Sequence, residues 1–165
     1  MPNPKSSGTG YSFLKALVNS MGEEEAFTYF DSLTENILQY TSSGSGPVNN
    51  LVSGECVIGL GITAQAVTQI NQGVNLEIVY FEEGSPYTMY GQAIINGKEQ
   101  RECVKEVFVF MVNTFTAESA EKFFPEKIYK DKDFVVQNYP ENIEYSDMSN
   151  NGIDEKTRLL EKWKY

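Results

Sequence analysis

The sequence predicts an α/β fold, and the main reason is a strand–helix–strand unit in the middle of the chain. Apolar residues run almost without interruption over residues 56–62 and 76–81, as in strands buried on both faces of a parallel sheet. Between them, apolar residues recur at helical spacing from Thr63 to Gln72, and Gly73 follows as a typical helix end. This order predicts two parallel strands joined by a right-handed crossover.

The chain opens on a glycine-rich loop, residues 4–11, which leads into an amphipathic helix that runs to Met21. Two interpretations are open for Ser7, Gly8 and Thr9 in this loop. Serine and threonine are preferred helix caps, so the loop is explained as an ordinary N-cap. The free N–H groups and the positive end of the helix dipole also suit an anion, so the loop is equally typical of an anion-binding site.

A second loop of the same kind lies at residues 41–47 and again precedes a helix. Pro47 suits the first turn of a short helix that ends at about Ser53. If the two loops converge, their hydroxyl and N–H groups would bind an anion together, whereas two ordinary capped turns would give the same pattern. The residues of this loop that we assign to the candidate site are Ser43, Ser45 and Gly46.

The remaining elements are a short strand and four helices. The acidic residues 23–25 follow Gly22 and predict a helix start, and the apolar face from Val104 to Phe115 predicts the clearest helix of the chain. A polar stretch without strong periodicity covers residues 126–151. The predicted strand is Met89–Ile95, and the predicted helices are 23–37, Glu99–Phe115, Thr116–Phe124 and Asp154–Tyr165.

Composition and charge exclude several classes of function. The net charge of -10 argues against nucleic acids and anionic membranes as partners. Histidine is absent, which excludes a Ser-His-Asp or Cys-His mechanism within this chain. Cys56 and Cys103 lack the spacing of a metal site, and we expect them to be buried thiols, with a disulfide between them as the alternative. We therefore expect neither a metal nor another cofactor.

The order of these segments resembles the extracellular solute-binding proteins of bacterial ABC importers, in particular the subgroup of ferric-iron, sugar-phosphate and aminoethylphosphonate receptors. The resemblance covers almost the whole chain. The segments that carry it are PKSSGTGY at 4–11, YTSSGSGP at 40–47, VSGECVIG at 52–59, EEGSPY at 82–87, GQAII at 91–95 and LLEKW at 159–163.

The resemblance implies the fold of a type II periplasmic binding protein, in which two α/β lobes hold the ligand in the cleft between them. Residues 1–83 would form the second, ligand-binding lobe, and residues 84–165 the returning part of the first lobe with its C-terminal helices. The chain would then be the C-terminal part of such a protein, and the first half of lobe one, the export signal and a lipid anchor would precede it. The apolar face from Val104 to Phe115 would lack its usual sheet. It would pack differently on the second lobe or against another copy of the chain.

The resemblance also limits the class of ligand that the chain would bind. Ferric-iron receptors of this subgroup commonly use neighbouring tyrosines where this chain has serines and glycines, with Tyr40 alone nearby. Serine hydroxyls and N–H groups suit a phosphate or phosphonate instead. Glu55 would bind a sugar hydroxyl or amino group, or act only as a turn carboxylate. Tyr87 would line the cleft or only pack on other aromatic groups, and Lys5 would add positive charge or remain solvated.

These observations predict a non-catalytic solute-binding component of an ABC importer, located in the periplasm or outside the cell as a lipoprotein, with a permease as partner. A ferric-iron receptor and the ligand-sensing domain of a regulator are the alternatives. An enzyme is disfavoured because the chain offers no nucleophile with a base and no metal cluster. The neighbouring Glu82 and Glu83 point apart on a strand end, so they make a poor acid–base pair.

Overall fold

Helices dominate the computed structural model, which describes residues 1–125 and 129–165. A π-helical turn, Met111–Phe115, joins two of them into one continuous segment. Every predicted helix is confirmed, with bounds that differ by a few residues. Of the polar stretch predicted at 126–151, residues 126–128 lie outside the described part. The helices are α1 Gly8–Met21, α2 Glu23–Thr34, α3 Gly46–Val52, α4 Thr63–Asn71, α5 Glu102–Phe110, α6 Thr116–Phe123 and α7 Ile153–Lys162.

The three predicted strands do not form among the described residues. The β-type pairing there consists of two isolated parallel bridges, Pro2 with Thr41 and Ser85 with Tyr145. Burial still alternates along residues 76–81, as in a strand with one covered face. A strand needs a hydrogen-bonded neighbour along its length, and these segments have none in the described part of the chain. Val57, Ile58 and Val79 are accordingly exposed. The α/β lobe architecture therefore stays a prediction.

The chain divides into two compact units. The first comprises Met1–Thr88 and Pro140–Tyr165, and the second comprises Met89–Tyr139. The predicted lobe boundary between residues 83 and 84 stays a prediction.

The core of the first unit lies between α1, α2 and the C-terminal segment. Leu14, Phe30, Leu159 and Trp163 are buried in one cluster. Phe30 and Trp163 meet edge to face with ring centroids 5.2 Å apart. Burial of each such side chain contributes about 1.5–3 kcal/mol. This core fixes the direction of α1, whose first turn belongs to the candidate site.

Ion pairs join α2 to α7 across the surface of this core. Arg158 lies 2.7 Å from a Glu23 carboxylate oxygen, and Lys162 contacts the other oxygen. Hydrogen bonds from Arg158 and Lys162 lower the pKa of Glu23 to about 2, against a smaller opposing effect of desolvation. Asp31 similarly pairs with Lys164 at 2.8 Å and accepts a hydrogen bond from the Tyr165 hydroxyl.

The second unit has almost no core in its described residues, 89–125 and 129–139. Ala120 is the one residue of this set that is buried. The predicted apolar face lies on α5 and the π-helical turn, where Val107 and Phe115 are 61% and 49% exposed. Cys103 is exposed and Cys56 partly buried, so the prediction of two buried thiols is wrong. Cys103 is exposed because α5 packs against no core.

Candidate functional site

The first turn of α1 combines a buried cap with two free N–H groups. Ser7 is the N-cap, and its hydroxyl accepts a hydrogen bond from the Gly10 N–H at 3.4 Å. The capping interpretation of Ser7 is thus confirmed, and a ligand contact from Ser7 stays a prediction. Gly8 and Thr9 are the first two helical residues, whose N–H groups have no partner within the helix. A Cβ on Gly8 would meet no atom within 4 Å, so this side of the turn is open.

Backbone pairing sets the second loop beside the start of α1. The Asn3 N–H donates to the Thr41 carbonyl at 2.8 Å, and the Thr41 N–H donates to the Met1 carbonyl at 2.9 Å. A Cβ on Gly10 would lie 2.5 Å from the Pro2 carbonyl oxygen, so only glycine allows α1 to start this close to the N-terminal segment. Residues 2–3 therefore hold both loops in place.

The two loops meet at Gly44. A Cβ built on Gly44 would lie 2.3 Å from the Thr9 hydroxyl oxygen and 3.1 Å from Cδ1 of Ile62. Ile62 is the N-cap residue of α4. The starts of α1 and α4 and the loop before α3 therefore converge on one point. We call this contact of Thr9, Gly44 and Ile62 the Gly44 junction.

The donors around the Gly44 junction are neutral. The Ser43 and Ser45 hydroxyls lie 3.0 Å apart, and the Thr41 hydroxyl donates to the Ser43 carbonyl at 2.8 Å. A Cβ on Gly46 would lie 2.5 Å from Cβ of Thr41, so this tight turn requires glycine, and a ligand contact from Gly46 stays a prediction. Hydroxyl and N–H donors at a helix start suit an oxyanion. Within the described residues there is no group of three or more His, Cys, Asp or Glu that would hold a metal.

The structure does not bring Glu55 and Tyr87 to this junction through any contact among the described residues. Glu55 is exposed on the rim of an open groove of about 360 Å³, formed by segment 36–39, part of α3 and segment 55–59. Tyr87 is 43% exposed and packs edge to face on Tyr145, with ring centroids 5.4 Å apart. The aromatic-packing interpretation of Tyr87 is thus confirmed, and the ligand contacts of both residues stay predictions. Lys5 is exposed.

Two residues near the junction were missed by sequence reasoning. Gln65 Nε2 donates to the Ser45 carbonyl at 3.3 Å and to Asn49 Oδ1 at 3.1 Å. Burial raises the pKa of Tyr80, whose buried hydroxyl has no hydrogen-bond partner in the described part of the chain. For Gln65, the sequence signal was its place in the first turn of α4, directly after the apolar run 56–62. That signal does not reveal which loop the side chain contacts.

Comparison with known protein families identifies one family whose model matches this chain. The model of the family described as bacterial extracellular solute-binding protein matches residues 1–156. A Haemophilus influenzae protein described as an uncharacterized protein is 38% identical over 95 residues, which is 58% of this chain and 28% of that protein. The match thus spans less than a third of the relative's length. No solved structure matches. No described helix is long and apolar enough to span a membrane.

Proposed function

The chain belongs to the family of bacterial extracellular solute-binding proteins, and on that premise we propose that it serves an ABC importer as the part that captures the solute. The solute is a small oxyanion, such as a sugar phosphate or a phosphonate. The protein acts in the periplasm or outside the cell, anchored as a lipoprotein, and delivers the solute to a permease. It binds without catalysis.

The contact between Thr9 and Gly44 is the observation that carries the oxyanion proposal. It brings the Thr9 hydroxyl at the start of α1 next to Gly44, which lies between Ser43 and Ser45 in the chain, and the hydroxyls of these two serines are 3.0 Å apart. Hydrogen bonds from such donors to a charged group contribute about 1.5–3 kcal/mol each. Several together are enough for capture of a small anion without a cationic side chain.

The arrangement of Tyr40 disfavours iron as the solute. Ferric iron prefers anionic oxygen ligands, so a tyrosine ligand has to lose its proton. Tyr40 packs instead in the aromatic cluster, with its ring stacked on Tyr165 at 5.7 Å between centroids. Burial raises the pKa of Tyr40, which disfavours the phenolate.

Replacement of Thr9 by valine tests the proposal, because it removes the hydroxyl and nearly keeps the shape. Glucose 6-phosphate or 2-aminoethylphosphonate should raise the melting temperature of the wild-type chain, and Thr9→Val should lose most of that rise. Thr28→Val is the matched control, since Thr28 is exposed on α2 and its hydroxyl donates to the Glu24 carbonyl. An equal rise in Thr9→Val and Thr28→Val would contradict the assigned site.

We also propose that a second copy of the chain covers the apolar surface of the second unit. Ten large apolar side chains of this unit are between 37% and 88% exposed. At about 150–250 Å² for a whole aromatic side chain, they expose on the order of 1,000 Å². A standard interface buries about 800 Å² per partner, so this exposed area is large enough for one. The side chains are Met89, Tyr90, Ile95, Val107, Val109, Phe110, Phe115, Phe123, Phe124 and Val135.

A further inference from the structure

We infer that Gln65 is a positioning residue of the oxyanion site, because it holds the loop of residues 42–46 against the start of α4. The inference rests on the proposed function, since it gives this loop a part in binding. Gln65 touches the loop backbone and acts on the solute only through the loop.

The hydrogen bonds of Gln65 fix both the loop and the orientation of its own amide. The Ser45 carbonyl oxygen accepts from Gln65 Nε2 at 3.3 Å and from the Asn49 N–H at 3.2 Å, so both of its lone pairs are used. A carbonyl oxygen only accepts, and the NH₂ group of Gln65 must therefore face it. The same NH₂ group donates to Asn49 Oδ1 at 3.1 Å, which ties α4 to α3 as well.

This bond holds the residue that follows Gly44 in the Gly44 junction. Gly44 precedes Ser45, and it touches Ile62, which begins α4 three residues before Gln65. The Gln65 bond and the Ile62 contact therefore hold the loop to one helix start at two neighbouring points. Serine and glycine residues have little side-chain packing and high backbone freedom, so the loop depends on such ties for a single conformation.

The Gln65 amide makes two donated hydrogen bonds but leaves its oxygen unpaired among the described residues, and this pattern argues for a role beyond packing. Gln65 Oε1 is buried and has no hydrogen-bond partner in the described part of the chain. An unpaired buried acceptor is unfavourable, and an apolar side chain of similar shape would avoid this cost. The amide is of use here because of its two donated hydrogen bonds to the loop and to α3.

Hydrogen exchange tests the hydrogen bond between Gln65 and the Ser45 carbonyl without any solute. In Gln65→Leu, the amide of Gly46, which donates to the Ser43 carbonyl, should exchange roughly tenfold faster than in the wild type, because the loop opens more often. Gln69→Leu is the matched control, one turn further along α4 and similarly part-buried. It should leave exchange in the loop unchanged. Unchanged exchange in Gln65→Leu, or equal acceleration in both variants, overturns the inference.

A titration with glucose 6-phosphate and 2-aminoethylphosphonate then tests the effect on binding. Gln65→Leu should raise the dissociation constant roughly tenfold, and Gln69→Leu should not. If the wild type binds and Gln65→Leu binds equally well, this inference alone fails. If the wild type binds neither probe, the proposed function fails and the inference with it.

Gln65→Glu adds a readout that a loss of packing would not give. A carboxylate cannot donate to the Ser45 carbonyl, whereas a protonated carboxyl group can. The ratio of the dissociation constants of Gln65→Glu and wild type should therefore fall as the pH approaches about 4.3, the ordinary pKa of glutamate. Titration of the probe affects both proteins equally and cancels in this ratio. A ratio that does not change with pH overturns the inference.

Discussion

At the scale of single residues, Gly44 and Gly8 have different roles: Gly44 is needed for packing, and we propose that Gly8 is needed for binding. Gly44 has no room for a side chain, because a Cβ there would lie 2.3 Å from the Thr9 hydroxyl oxygen. Gly8 has open space where a Cβ would be built. Gly44 is therefore required for the two loops to meet, while only an approaching ligand would require glycine at Gly8.

Alanine at each of these positions should give opposite results. Gly44→Ala should displace Thr9 and lower the free energy of unfolding by about 1–3 kcal/mol, as expected for overpacking. Gly8→Ala should change the free energy of unfolding by less than about 0.5 kcal/mol and still weaken oxyanion binding. Urea denaturation and probe titration measure the two effects. Wild-type stability in Gly44→Ala would contradict the geometry of the junction.

A second prediction at this scale concerns the ion pair of Lys15, which is 1% exposed, with Glu155 at 3.3 Å. Glu155→Ala should lower the free energy of unfolding, because it removes the ion-pair partner of an ammonium group that is 1% exposed. Lys15→Met should cost clearly less, because it removes the charge that needs a partner, and Glu155 keeps its bond to Arg158 at 2.9 Å. Urea denaturation of both variants measures the two changes in the free energy of unfolding. The reverse order would mean that the buried lysine has another source of stabilisation.

At the scale of elements, the predicted helices are confirmed, whereas the predicted strands do not form among the described residues, and the difference has a physical reason. The cap at Ser7, the acidic start of α2 and the periodicity of α4 act between residues close in sequence. A strand depends on a neighbour elsewhere in the chain, which an apolar run such as 56–62 does not specify. Among the described residues that neighbour is absent, and Val57 is 93% exposed.

The same distinction applies to the candidate site. The two loops were predicted from local glycine and serine patterns, and the structure brings them into contact at Gly44. The contact of Gln65 with Ser45 joins residues 20 positions apart and left no local signal. Contacts of that kind depend on how α3 and α4 pack, which sequence patterns do not give.

The ion pairs between α2 and α7 predict how stability depends on pH. The folded-state pKa of Glu23 is lowered to about 2, so its contribution is complete above the ordinary value and is lost as the pH falls from about 4.5 towards 2. Because solvent screens this exposed cluster, we expect a loss of about 1 kcal/mol. Glu23→Gln should show a smaller fall in the free energy of unfolding over this range. An identical pH profile would mean that the pairs with Arg158 and Lys162 are not stabilising.

At the scale of the whole molecule, the apolar surface of the second unit predicts self-association. The chain should elute with twice its mass of 18.6 kDa in size exclusion with light scattering. Phe110→Glu should shift it towards the monomer, because a charge would be buried at the interface. Ile153→Glu is the matched control, since Ile153 is 84% exposed in the first unit. A clean monomer of the wild type at micromolar concentration would contradict the proposed dimer.

The central claim is that the chain captures an oxyanion at the Gly44 junction. Calorimetric titration of the wild-type chain with glucose 6-phosphate and 2-aminoethylphosphonate, with Fe(III) as the competing solute, tests it most directly. We expect saturable binding of at least one of the two oxyanions and no binding of iron. A visible-absorbing ferric complex, with no heat from either oxyanion, would contradict it.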